Sequence, residues 1–208
     1  MTIDTQAALA YFKVSDPIMY ELLKCSLDHA TPLLVPKPKP ISAYFRSIIS
    51  SIISQQISAK AADAVRGRVE TLFGEVTPES VLRTDRTTLQ ACGLSHQKVK
   101  YIYYNAEYWH TIPINSFESM SDEEIIKELT ALYGIGTWTA EMFLIFSLAR
   151  PNVFSYGDLA LVQSLYETYH YRPHYTKKIA TTVAAWSPHQ TTASLALWYA
   201  RDKGPVLL

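Results

Sequence analysis

The sequence predicts an all-α fold, and three observations carry that prediction. Apolar residues recur at spacings of three and four along most of the chain, helix-capping residues stand immediately before those runs, and no Asn-Gly or similar hairpin signal joins alternating segments. The 208 residues include 48% hydrophobic and 18% charged side chains, a balance that supports a buried core and argues against wholesale disorder. The length suits one domain, or two small lobes.

Taken in order, residues 1–31 carry a helical pattern around Ala8, Leu9, Phe12, Ile18, Leu22 and Leu23. From Thr31 to Pro40 four prolines fall within nine residues, which cannot propagate a helix and predict an extended connector. Phe45 and the β-branched Ile48, Ile49, Ile52 and Ile53 would also suit a strand, but their period is helical. Ser58 can cap the next helix, with Ala61, Ala62, Val65, Val69 and Leu72 inward and Gly74 beyond its end. Thr77-Pro78 is a cap followed by proline at the first helical position, and Ser121 with Glu124 forms a capping box before Ile125, Ile126 and Leu129. Thr137 opens a helix through Leu148, stopped by Pro151, with Phe143, Leu144, Ile145 and Phe146 expected to be buried. Asp158 opens another helix through Tyr166, and Ser187-Pro188 opens the last, to about Arg201. Trp109 and Trp186 read as core.

Charge and cysteine usage narrow the function classes. Nineteen basic and nineteen acidic residues give a net charge of +0, which excludes binding to nucleic acid or an acidic membrane by bulk charge but leaves room for a local patch. Cys25 and Cys92 cannot build a disulfide framework or a four-thiolate cluster, and the six histidines show no metal-ligand spacing, so no metal is expected. No segment reads as a leader or a membrane span, so the expected setting is a reducing cytoplasm with no membrane partner.

The most informative stretch is Leu132-Tyr133-Gly134-Ile135-Gly136-Thr137-Trp138-Thr139-Ala140. Gly134 and Gly136 allow a tight turn, and the turn runs into a helix start, where N–H groups and the dipole favour an anion. Such a device binds phosphate without Lys or Arg. By itself the tripeptide is also what an ordinary helix–helix turn looks like, with Ile135 as a core plug.

In its wider context this stretch resembles the helix-hairpin-helix of a large superfamily of DNA glycosylases. Asn152-Val153-Phe154-Ser155-Tyr156-Gly157-Asp158 resembles the segment that carries that family's catalytic aspartate, and Ile53-Ser54-Gln55-Gln56-Ile57-Ser58 resembles its minor-groove-probing turn. Ala91 to Lys98 and Trp186-Ser187-Pro188 through Trp198 match two further segments, in order, over roughly residues 41–202. The branch it resembles most is the type II alkylpurine, or 3-methyladenine, DNA glycosylases.

The resemblance implies a helix-hairpin-helix glycosylase fold of two helical lobes with a cleft between them. A central lobe is expected over about 41–130, a second from about 1–31 plus 145–208, and the hairpin at 132–138 at their junction, without the N-terminal β domain of larger members. It further implies hydrolysis of the N-glycosidic bond of alkylated purines in base excision repair, with Asp158 as the catalytic carboxylate. Cap and catalyst are compatible roles for Asp158, since a helix start can present its carboxylate at a loop.

Lyase members place a lysine where this chain has Trp138, and cluster-bearing members carry four C-terminal cysteines, so a monofunctional enzyme with no cofactor is implied. Trp138 and Trp198 match pocket-lining positions, and Met142, one turn after Trp138, is a further pocket candidate that can equally belong to the core. The DNA-binding residues implied are Gly134, Ile135, Gly136 and Thr137 of the hairpin, with Gln55, Gln56 and Ser58 of the probing turn. Gln56 is the candidate wedge, whereas Gln55 could equally cap exposed backbone. Lys98 belongs to a basic patch with His96, Lys100, Arg83 and Arg86 that can touch phosphates or form a solvated face. The implied partner is double-stranded DNA containing damaged bases, bound by a monomer associated with the nucleoid. Val162, Gln163 and Gln190 stand where relatives often have arginine, which keeps open a non-catalytic lesion- or abasic-site-binding protein on the same scaffold.

Overall fold

A computed structural model describes residues 3–28, 33–172 and 176–203. Among them are twelve α-helices, three short 3-10 turns and no strand, the all-α class expected. The chain divides into two compact units, one made of Lys39–Phe143 and the other of Met1–Pro38 with Leu144–Leu208.

The discontinuous unit contains α1 (Thr5–Ser15), α2 (Pro17–Asp28), α10 (Leu159–Thr168), α11 (Thr176–Ala185) and α12 (Gln190–Lys203). Its core joins Phe12, Met19, Leu22 and Leu23 to Leu161, Leu165, Ile179, Val183, Trp186 and Leu197. The helical apolar pattern around Ala8 to Leu23 is carried by two helices. Pro17 disfavours helical geometry at Asp16, whose φ of −153° and ψ of 87° break the chain, and the Asp16 carboxylate then accepts the Met19 N–H at 3.1 Å. Residues 33–40 carry no helix, as the prolines require, while Thr31 and Pro32 lie outside the described residues. The last helix begins at Gln190, two residues later than Pro188 suggested, because the chain turns at Trp186–His189 with the His189 N–H bonded back to the Trp186 carbonyl at 2.7 Å.

The continuous unit contains α3 (Tyr44–Ser54), α4 (Ala59–Phe73), α5 (Pro78–Leu82), α6 (Arg86–Ala91), α7 (His96–Tyr108), α8 (Asp122–Thr130) and most of α9 (Thr137–Phe146). α3 packs on α4 and α7, burying Phe45, Ile48, Ile49, Ile52 and Ile53. The caps fall where the sequence put them: Ser58 accepts the Ala61 N–H, while Thr77 and Ser121 each complete a capping box. Gly74 closes α4 at φ +66°. The buried stripe of α4 is narrower than expected, Ala62, Val65 and Val69, with Ala61 and Leu72 rotated out to solvent.

α9 stops at Phe146 rather than Leu148, leaving Phe146 exposed in its last turn. Ala149 adopts φ +52° and the Arg150 N–H bonds to the Leu144 carbonyl at 3.0 Å, a six-residue closure of the helix end with alanine where glycine is usual. No helix among the described residues is long and apolar enough to cross a membrane.

Candidate functional site

The continuous unit carries the hairpin and the turn at Gln55–Ser58 that is the candidate probe. Between α8 and α9, Leu132 and Ile135 are buried and pin the loop to the core. Gly134 sits at φ +76°, and a Cβ there would lie 2.4 Å from a ring carbon of Tyr101, so both conformation and space demand glycine. Gly136 has no such constraint, since nothing lies within 4 Å of a Cβ built on it. Thr137 then opens α9, whose first-turn N–H groups and dipole suit an anion. The turn is a core-plugged helix–helix connection that runs straight into the start of α9.

Two clamps hold the hairpin backbone. Asn105, fully buried on α7, accepts the Tyr133 N–H at 2.9 Å and donates to the Tyr133 carbonyl at 3.0 Å. Gln55 donates its side-chain amide to the Gly134 carbonyl at 2.7 Å. Gln55 thus caps backbone, as one of its two readings had it, and Gln56 is the exposed tip of the turn at φ +58°. That left-handed conformation costs roughly 1–2 kcal/mol for a residue with a side chain and projects Gln56 outward. Ile57 and Ser58 are also exposed, Ser58 while capping α4.

Lys98 has a more specific environment than a solvated basic patch. Its ammonium donates to the Ile53 and Gln55 carbonyls, both at 2.7 Å, closing the C-terminal end of α3, and burial pulls its pKa below the ordinary lysine value. His96 and Lys100 are exposed on the same helix, and Arg86 lies over the Tyr103 ring at 4.9 Å. Trp138, in the first turn of α9, is 45% exposed, and Met142 is half-buried one turn on.

The discontinuous unit carries the candidate carboxylate. Asp158 is the N-cap of α10, only 9% exposed, with φ −84° and ψ 104°. Its Oδ1 accepts the Leu161 N–H at 2.8 Å, and the Trp198 indole N–H points at the same oxygen from 3.4 Å. Asp158 and Trp198 are thus brought together, while Trp138 and Met142 belong to the other unit. The Trp198 ring stands 5.9 Å from that of Phe146, and Tyr156 and Leu159, on either side of Asp158, are exposed. Trp109 and Trp186 are core residues, as expected.

The positions noted for lacking arginine have other partners. Gln163 donates to Glu167 at 2.9 Å and accepts from the Arg201 guanidinium at 3.3 Å, so α12 brings a cation to this face of α10. Gln190 donates to the Val183 carbonyl at 3.0 Å and ties the start of α12 to α11. Sequence reasoning passed over Asn105 and Tyr101. The available signal was an amide on the buried stripe of α7, between Ile102 and Ala106, seven residues after Lys98 and therefore on its face.

The chain and its fold are similar to known proteins. A family model described as the HhH-GPD superfamily base excision DNA repair protein matches residues 49–189. The chain is 33% identical over 162 residues to DNA-3-methyladenine glycosylase 1 of Schizosaccharomyces pombe, covering 74% of this chain and 71% of that protein. Among solved structures, a DNA-3-methyladenine glycosidase from Bacillus halodurans superposes with a TM-score of 0.79 at 34% identity, over 93% of this chain and 88% of that one. The S. pombe 3-methyladenine DNA glycosylase Mag1 in complex with abasic DNA gives 0.75 at 29% identity, over 92% and 95%. With the family model spanning the Gln55–Ser58 turn, the hairpin, the Asp158 cap and the approach to the last helix, the chain belongs to the HhH-GPD superfamily of base excision DNA repair proteins.

Proposed function

We propose that the chain is a monofunctional DNA glycosylase that hydrolyses the N-glycosidic bond of alkylated purines in duplex DNA. The observation that carries the reading is Asp158, a nearly buried carboxylate held at the start of α10 beside Trp198, in a chain similar to 3-methyladenine glycosylases. Its two-fold hydrogen bonding fixes the side chain before substrate arrives.

Departure of the base takes the electron pair of the C1′–N bond with it and leaves an oxocarbenium-like sugar. A purine alkylated at a ring nitrogen is already cationic, so the pair neutralises it as it leaves. The Asp158 carboxylate stabilises the sugar cation, water adds to C1′, and the proton lost from that water passes to the carboxylate or to solvent. Trp138 offers an aromatic face on which a cationic base gains roughly 0.5–2 kcal/mol over a neutral one. With tryptophan at 138, no amine stands in the hairpin helix to form a Schiff base, and the product is an intact strand with an abasic site. The hairpin amides and the Gln56 tip serve as the phosphate anchor and the minor-groove wedge.

Asp158→Asn provides the test, because asparagine caps a helix as well as aspartate does and only the charge is lost. Folded variant and wild type are compared for base release from methylated duplex, with abasic sites revealed by alkali. The expected loss is on the order of 100-fold or more, with duplex binding retained. Near-normal release by the variant would remove Asp158 from the mechanism, and binding without release by the wild type would make the protein a lesion binder.

A further inference from the structure

Five hydrogen bonds in the continuous unit form a closed circuit. Lys98 on α7 holds the Ile53 and Gln55 carbonyls. The Gln55 side chain holds the Gly134 carbonyl. The peptide just before, at Tyr133, is held at both its N–H and its carbonyl by Asn105, which returns the circuit to α7. Lys98, Tyr101 and Asn105 follow one another at i, i+3 and i+7, so a single face of α7 carries both ends of the circuit, with the Tyr101 ring seated against Gly134 between them.

Each member has the chemistry its place requires. The ammonium is a multiple donor suited to paired carbonyls at a helix end. The buried amide of Asn105 satisfies a backbone donor and acceptor at once, which no apolar residue of its size could do. Resting on the glycosylase reading above, we propose that Lys98, Gln55 and Asn105 are positioning residues that fix the spacing between the probing turn and the hairpin, with α7 as the gauge between them. Lys98 then acts on duplex DNA through the Gln55–Ser58 turn and not as a phosphate ligand. A wedge and a phosphate anchor must meet one duplex together, and a misplacement near 1 Å is enough to cost roughly 100-fold in rate.

The experiment uses the full chain with Lys98→Met, Gln55→Leu and the double variant, each shown by melting to be folded. Three readouts separate the possibilities. Amide hydrogen exchange over 133–138 needs no activity, and Lys98→Met, though it touches no hairpin atom, is expected to speed exchange there. Binding to undamaged duplex as a function of salt is expected to keep the wild-type slope, whereas loss of a phosphate contact reduces it by about 1. Single-turnover release from methylated duplex is expected to fall roughly tenfold or more at saturating enzyme in each single variant, with the double variant hardly worse than either, since all three break one circuit. Unchanged exchange at 133–138 in Lys98→Met overturns the proposal, as does a slope reduced by one. A wild type that releases no base overturns the glycosylase reading, and the exchange result then judges the circuit alone.

Discussion

At the scale of single residues, Asp16 does more than break a helix. Its Oδ2 accepts the Tyr169 hydroxyl at 2.7 Å and the Trp186 indole N–H at 2.8 Å, while Oδ1 caps α2. One carboxylate therefore ties the α1–α2 junction to the residues that follow α10 and α11. Asp16→Ala would leave a buried indole N–H and a hydroxyl without partners, and is expected to lower stability by about 2–4 kcal/mol, read by denaturant melts. Burial first, then the bond to Asp16 and its negative charge, push the Tyr169 pKa far above the ordinary tyrosine value. A group raised in the folded state contributes stability below its unfolded pKa of about 10 and loses it as the pH climbs beyond that. The melting temperature should thus fall above pH about 10, and Tyr169→Phe should make that fall shallower. None of this was legible in the sequence, because the partners of Asp16 stand 153 and 170 residues away. Asp158 was legible, since a cap is a local pattern and its family context is a motif. Lys98 was legible as a cation but not as a helix cap, for its acceptors belong to another helix.

At the scale of elements, the hairpin glycines separate cleanly. Gly134→Ala must pay for a left-handed alanine and for displacing Tyr101, so a loss of roughly 2–3 kcal/mol is expected. Gly136→Ala meets nothing and is expected to melt within about 0.5 kcal/mol of wild type. Binding of Gly136→Ala to duplexes of different sequence should weaken uniformly where the hairpin amides touch phosphate, and stay unchanged where they do not. Helix starts were far more legible than helix ends. Ser58, Thr77, Ser121 and Asp158 announce themselves through short-range bonds to the next turn. The end of α9, which closes on a left-handed alanine, and the start of α12, delayed by the turn at Trp186–His189, were not announced in this way.

At the scale of the whole molecule, periodicity cannot state which helix packs on which. α2 packs on α1 and on α12, so the core of the discontinuous unit draws on both ends of the described chain. Removing residues 1–28 takes Phe12, Met19, Leu22 and Leu23 from that core. Hydrogen exchange by mass spectrometry should then show faster exchange across α10 and α12 than across α3, α4 and α7, whose buried faces lie in the other unit. Equal loss of protection in both sets would mean that the two units unfold as one.

The same arrangement has a consequence during biosynthesis. On the ribosome, α1 and α2 emerge before the other described helices, and α12, which packs on α2, emerges after them, more than 160 residues later. At bacterial or eukaryotic elongation rates the wait is about 10–35 s. Until the residues from Phe154 onward follow, the nascent apolar faces around Phe12 and Leu22 have no native core partner on the growing chain except each other, and residues 39–143 are complete before those partners arrive. A holding chaperone would therefore find its site on α1 and α2, and slow codons between α2 and α12 would lengthen their exposure.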